Sequence, residues 1–279
     1  MDRQQFAERF GYYHHSPSAV QKPLEIDIFQ KHLRRQKAPL HFGSPVAVGR
    51  AVESYAAAML IDGQGAAEAS RHAMTELDGH ELVPWDREAD QARLDIHRDI
   101  ITTIGEHARE GLAEALTGAN QITGQERHET HYPGLLLPFM GFSDFYGANR
   151  VAELKTKTSS VSEKAKTGRR AGPLPSKPDA KHVQQVAFYA DVIGCDASLV
   201  YASESGFRVF DETNCDELTP DGIKKAVNEL RARAWSRENI MRLAPSSTTL
   251  MQMLSPDWSD WGWKIAPEQL AQARAIWGL

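Results

Sequence analysis

Two cysteines, Cys195 and Cys215, are all that the 279 residues contain, and no CxxC pair occurs. That scarcity argues against a disulfide framework, a zinc ribbon or an iron–sulfur cluster, and it suits a reducing compartment. No apolar run approaches the ~18 residues needed to span a bilayer. The opening MDRQQFAERFGYYHH is too polar for a secretory signal. Global basicity is missing as well: the net charge is −5, so bulk charge does not announce a nucleic-acid partner. No GxxxxGK[ST] pattern is present, and nucleotide-driven translocation is therefore not built in. Internal repeats and clean linkers are absent too. What remains, 41% hydrophobic and 25% charged, is ordinary for a globular protein. The expectation is a soluble, cytoplasmic protein with no membrane partner.

Along the chain, Ser16 followed by Pro17 reads as an N-cap with proline at the first helical position. In SPVAVGRAVESYAAAMLIDG, Val48, Val52, Tyr55, Ala56 and Met59 form one apolar helical stripe that ends near Gly63. Residues 65–117 read as mostly helical and charged. ASLVYASESGFRVFDE alternates like one or two strands, DGIKKAVNELRARAWSRENI is an amphipathic helix, and the Trp-rich tail is expected to pack its aromatics onto the body. This order of helices, strands, helix, strands and helices predicts an α/β fold with helical additions at both ends.

The informative stretch is GFSDFYGANRVAELKTKTS, residues 141–159. Two runs of period-2 alternation flank a Gly- and Asn-containing turn, which predicts a β-hairpin. With 147–150 as the turn, Tyr146 faces Val151 and Asp144 faces Glu153, while Glu153 and Lys155 share one face. Two carboxylates and an ammonium then converge. Carboxylates sharing a site repel unless a cation lies between them. Hard oxygen ligands without a histidine or cysteine cluster suit Mg²⁺ or Mn²⁺. Lys155 would orient or deprotonate a water, or neutralise developing negative charge. An exposed strand face carrying three unrelated charges is the plainer alternative.

Two helices bear on the same spot. In HVQQVAFYADVIG, Val183, Ala187 and Ala190 form the buried stripe, and His182, Gln185 and Tyr189 fall together on another face. In GRAVESYAA, Glu53 sits at the margin of the apolar stripe. It is either solvated or turned into the site as another metal ligand.

Taken together, Gly49 through Glu53, Asp144, Glu153-Leu154-Lys155-Thr156 and Gln185 through Tyr189 resemble, in order, the motifs of the PD-(D/E)xK nuclease superfamily. The likeness is to its RecB-like and phage lambda-type exonuclease branch, and it covers the chain from 16 to 210, with SPSAV similar to the Ser-rich helix opening of RecB-like members. Ser143 stands where the nominal proline would precede Asp144. Glu53 replaces the histidine typical of RecB-like helices, and the four-cysteine cluster of some relatives is absent, so no iron–sulfur cluster is implied. The resemblance implies a restriction-endonuclease-like core, a mixed sheet flanked by helices. It would form a single nuclease domain over 1–279, with a mainly helical part at 1–120, the catalytic core at 121–212 and a helical part at 213–279. It further implies one or two Mg²⁺ ions on Asp144, Glu153, the Leu154 carbonyl and Glu53, with Lys155 acting on the water. Gln185 and Tyr189, with His182 beside them, would brace the site or hold DNA.

Between the E-x-K strand and the Q-x-x-x-Y helix, residues 155–181 hold eight Lys or Arg against two acidic residues, a local +6 in a chain of −5. Lys157, Lys164, Lys166, Arg169 and Arg170 read either as a solvated Ser/Gly/Pro-rich loop or as an arm that closes over phosphates. The functional expectation is a Mg²⁺-dependent exonuclease acting on single- or double-stranded DNA with ends, in recombination, repair or phage DNA metabolism. An endonuclease on the same core and a non-catalytic DNA-binding subunit are the alternatives.

Overall fold

The structure is a computed structural model that describes residues 1–162, 164, 165 and 167–279. Its helices and strands run, in chain order, α1 (Arg3–Phe10), α2 (Pro17–Val20), α3 (Leu24–Arg35), α4 (Ser44–Leu60), α5 (Ala66–Asp78), α6 (Arg87–Ala115), β1 (Thr123–Thr130), β2 (Phe139–Gly147), β3 (Arg150–Thr156), β4 (Ser160–Val161), β5 (Arg169–Arg170), α7 (Ala180–Ile193), β6 (Asp196–Ser203), β7 (Gly206–Phe210), α8 (Pro220–Arg242), α9 (Ser247–Met253) and α10 (Pro267–Ile276). Among the described residues no helix is long and apolar enough to cross a membrane. The chain divides into two compact units that interleave along the sequence, one of Phe42–His128 with Phe142–Ala226, the other of Met1–His41, Glu129–Gly141 and Val227–Leu279.

The larger unit is built on a mixed sheet in the order β1-β2-β3-β6-β7. Strands β2 and β3 pair antiparallel, β3 and β6 parallel, and β6 and β7 antiparallel. Helix α7 makes the crossover that a parallel pair requires. Central position shows in the sequence of β6: DASLVYAS is buried along nearly its whole length, as a strand covered on both faces must be. Strand β1, TGQERHET, has no apolar alternation, and its burial never exceeds intermediate.

Helix α4 is seated on α6 by the predicted stripe: Val48, Val52, Tyr55 and Ala56 are all fully buried. Burying the two valines contributes roughly 1.5–3 kcal/mol each. Gly105 makes room for the Tyr55 ring, since a Cβ there would stand 2.5 Å from the ring carbon Cγ. The Tyr55 hydroxyl donates to Glu106. At the other end of α4, buried Asp90 of α6 accepts from the Ser44 N–H at 2.7 Å, supplying from a distance the cap that Gly43 lacks.

In the smaller unit, Ser16 caps α2 as expected, its hydroxyl accepting from Ala19 N–H. Phe6, Phe10, Tyr12, Phe29 and Leu33 form its core. The Trp-rich tail adds to it, with Trp258, Trp263 and Trp277 ring centroids 4.8–5.7 Å apart. Trp261 departs from the expected packing and is exposed. Two fully buried polar clusters tie distant segments together. Arg237 bonds Asp27 at 2.9 Å and Tyr12 at 3.3 Å. Glu238 accepts from Leu136 N–H at 2.8 Å and Leu137 N–H at 2.9 Å and bonds His15 at 2.9 Å.

Candidate active site

The hairpin forms where the alternation puts it. Gly147 pairs with Arg150 and Tyr146 with Val151, so the loop is the two residues Ala148 and Asn149, with φ of 50° and 57°. Positive φ at both positions is the type I′ geometry that suits the twist of the flanking strands. Continued from Phe145↔Ala152, this register sets Asp144 opposite Glu153. The two are linked directly: Asp144 N–H points at Glu153 Oε1 (3.4 Å), and Asp144 Oδ2 accepts from Leu154 N–H at 2.9 Å. Lys155 Nζ donates to Glu153 Oε2 at 2.9 Å. The three charged residues are brought together.

Beside them lies a cavity of about 490 Å³ at the C-terminal end of β3, the end at which open α/β sheets bind ligands. Asp144, Leu154, Lys155 and Lys157 line one side, Gly49, Arg50 and Glu53 of α4 another, and His182 of α7 a third. Glu53 therefore faces the site; its carboxylate accepts from the Gln125 side chain. Glu153 is completely buried.

The electrostatics follow from crowding acids out of water. Burial, then the charge of Asp144, lifts Glu53 to about 7. Burial and then Asp144 also lift Glu153 to about 8, against the pull of Lys155. Burial raises Asp144 despite Lys155 and the Leu154 N–H. For Lys155, burial opposes the charge, but Glu153 and Asp144 outweigh it and hold the ammonium above its ordinary value. Each carboxylate is short of positive charge.

On α7, Gln185 hydrogen-bonds the Tyr189 hydroxyl, which burial and the charge of Glu153 push upward. His182 bonds the Tyr201 hydroxyl at 2.8 Å, and burial, then Lys155, lowers it to about 4. Of the predicted α7 face, His182 lines the cavity and Tyr189 feels the charge of Glu153, while Gln185 reaches the cluster through Tyr189.

The basic segment is only partly available. Ser160 and Val161 pair with Arg170 and Arg169 as a two-stranded arm. At its base Arg169 is engaged by Glu204 at 2.8 Å, and Glu204 also accepts from the Ser159 hydroxyl at 3.0 Å. Lys164 and Arg170 are exposed, while Lys157 lies 5.1 Å from the Tyr201 ring centroid. Lys166 lies outside the described residues.

Sequence reasoning missed three participants. Arg50, one turn before Glu53 on α4, was findable from i,i+3 spacing. Gln125 and Tyr201 carried no signal; they reach Glu53 and His182 only through tertiary packing.

Among the described residues, no three His, Cys, Asp or Glu side chains form a metal-binding group. The donor chemistry nevertheless fits a hard cation, because Glu53 and Asp144 line the same cavity and Asp144 raises the pKa of Glu53. No protein-family model matches the chain, and no curated protein does. Among solved structures, the crystal structure of SSO0001 is similar over 53% of this chain and 67% of its own, at 18% identity and a TM-score of 0.28.

Proposed function

We propose that the chain is a magnesium-dependent deoxyribonuclease with a restriction-endonuclease-like core, hydrolysing phosphodiester bonds from DNA ends. The observation that carries this reading is the shared cavity: Glu53 and Asp144 line it with Lys155, and Glu153 is hydrogen-bonded to Lys155 behind. Glu53, Asp144 and the Leu154 carbonyl, with Glu153, would hold Mg²⁺ or Mn²⁺, one ion or two, which would acidify a bound water and stabilise charge on the phosphodiester.

The chain's own groups do the rest. Lys155, ion-paired to Glu153, presents an ammonium at the cavity wall that orients the attacking water and donates to phosphate oxygens as their charge grows. Gln185 and Tyr189 would brace the site from α7 or hold DNA. The Tyr201 hydroxyl fixes the ring of His182, which closes a third wall. Arg50 and Lys157 bring positive charge to the rim, and Lys164 and Arg170 extend it along the arm.

End-labelled linear DNA and covalently closed circular DNA, incubated with and without Mg²⁺, test the proposal. Loss of label from linear DNA only, dependent on Mg²⁺, is the expected result. Cutting of the closed circle would make it an endonuclease on the same core. Engagement of both Glu153 oxygens by protein donors favours a third reading, a DNA-binding subunit without turnover. DNA binding with no cleavage in Mg²⁺ or Mn²⁺ would establish that one instead.

A further inference from the structure

The smaller unit carries an aromatic and cationic surface that the cleavage site does not use. On α8, Asn228, Arg231, Ala232 and Trp235 recur at helical spacing and face outward beside Pro133 and Leu135, enclosing a cavity of about 290 Å³. Trp235 is 55% exposed, whereas Trp263 of the tail is buried. The Arg231 guanidinium lies 5.1 Å from the Tyr132 ring centroid and bonds Asn228 Oδ1 at 3.3 Å, so it is held as a ledge.

The cavity is built rather than incidental. Gly134, at φ 87°, turns the 133–135 loop, and the next two residues are pinned to α8 through their N–H groups by fully buried Glu238. That carboxylate, 1% exposed, also pairs with the Arg242 guanidinium at 3.6 Å, so the outward charge beside the cavity is that of Arg231. An exposed indole beside a guanidinium suits a ligand with a flat π-face and an adjacent anion. A proline-rich peptide would use the indole but not the charge.

We infer that Trp235 and Arg231 form an accessory site for single-stranded nucleic acid, with an unpaired base stacked on Trp235 and an adjacent phosphate on Arg231. The inference rests on the reading of the chain as acting on DNA, but it concerns binding alone.

The test is fluorescence anisotropy of a labelled oligodeoxythymidylate with the full chain in EDTA, where no metal-dependent cleavage occurs. Trp235→Ala is expected to weaken binding about 5- to 150-fold, the equivalent of one stacked base. Trp235→Phe should restore most of it. Arg231→Gln should flatten the log–log salt dependence by about 0.7. Since Trp235 is exposed, circular dichroism of all variants should match the parent. Equal affinity of Trp235→Ala and parent overturns the inference and leaves the nuclease reading standing. Failure of linear DNA to be cleaved, with the Trp235 effect intact, does the reverse. Concentration-dependent self-association lost in Trp235→Ala, with DNA binding unchanged, would assign the surface to contact between copies and overturn it too.

Discussion

Glu153 and Glu238 are both glutamates withdrawn from water, 0% and 1% exposed, yet their chemistry points in opposite directions. Glu238 receives two short backbone N–H bonds and a histidine, and these outweigh burial to hold it below the usual carboxylate range. Glu153 has one lysine and one long N–H contact, faces the charge of Asp144, and is pushed up to about 8. Burial is common to both, so it cannot be what marks a functional acid. The mark is a shortage of donors: a structural carboxylate is satisfied, and a reactive cluster is left wanting positive charge.

Substitution separates the two most sharply through activity. Asp144→Asn, Glu153→Gln and Lys155→Ala should each lower cleavage about 10²–10³-fold, the usual cost of losing one oriented charge-stabilising group. Thermal melts should show these proteins still folded. Near-parental turnover in any of them removes that residue from the site. Glu238→Ala should do the opposite, leaving metal dependence unchanged while destabilising the protein by about 2–6 kcal/mol, as two buried N–H groups lose their acceptor at about 1–3 kcal/mol each. Urea titration measures this, and a loss under 1 kcal/mol would deny Glu238 its structural role.

The same contrast has a pH signature. Because the folded pKa of Glu238 is depressed, its stabilisation is fully present above the unfolded value, near 4.5, and is lost as pH falls through the folded value. Stability of the parent should therefore fall in acid more steeply than that of Glu238→Gln. Parallel curves would contradict the assignment.

Smaller effects refine the cluster and its arm. Glu53→Gln should raise the Mg²⁺ concentration needed for half-maximal cleavage, because a neutral amide replaces an anionic ligand; an unchanged titration would return Glu53 to the surface. Lys164→Ala and Arg170→Ala should each flatten the salt dependence of DNA binding by about 0.7–0.9 in log–log slope. Arg169→Ala should instead loosen the arm, since its guanidinium is engaged by Glu204.

The legible parts of this molecule are those whose pattern is local. Alternation gave the hairpin and helical periodicity gave α4, so the approach of Asp144 to Glu153 and the margin position of Glu53 followed from spacing. Strand β1 was silent because an edge strand with polar side chains on both faces has no alternation to read. Strands β4 and β5 are two residues each, too short for a period. Gln125 lies 72 residues from Glu53, and His15 lies 223 from Glu238. Such partners are chosen by packing, which no window of sequence contains.

The turn at Ala148 and Asn149 has a consequence for what the site tolerates. Loops elsewhere on a protein commonly accept insertions. Here one added residue that shifted the pairing by a single step would carry Asp144 to the opposite face of the sheet from Glu153. This short exposed loop should therefore be permissive in identity and strict in length, like a spacer between two halves of a lock.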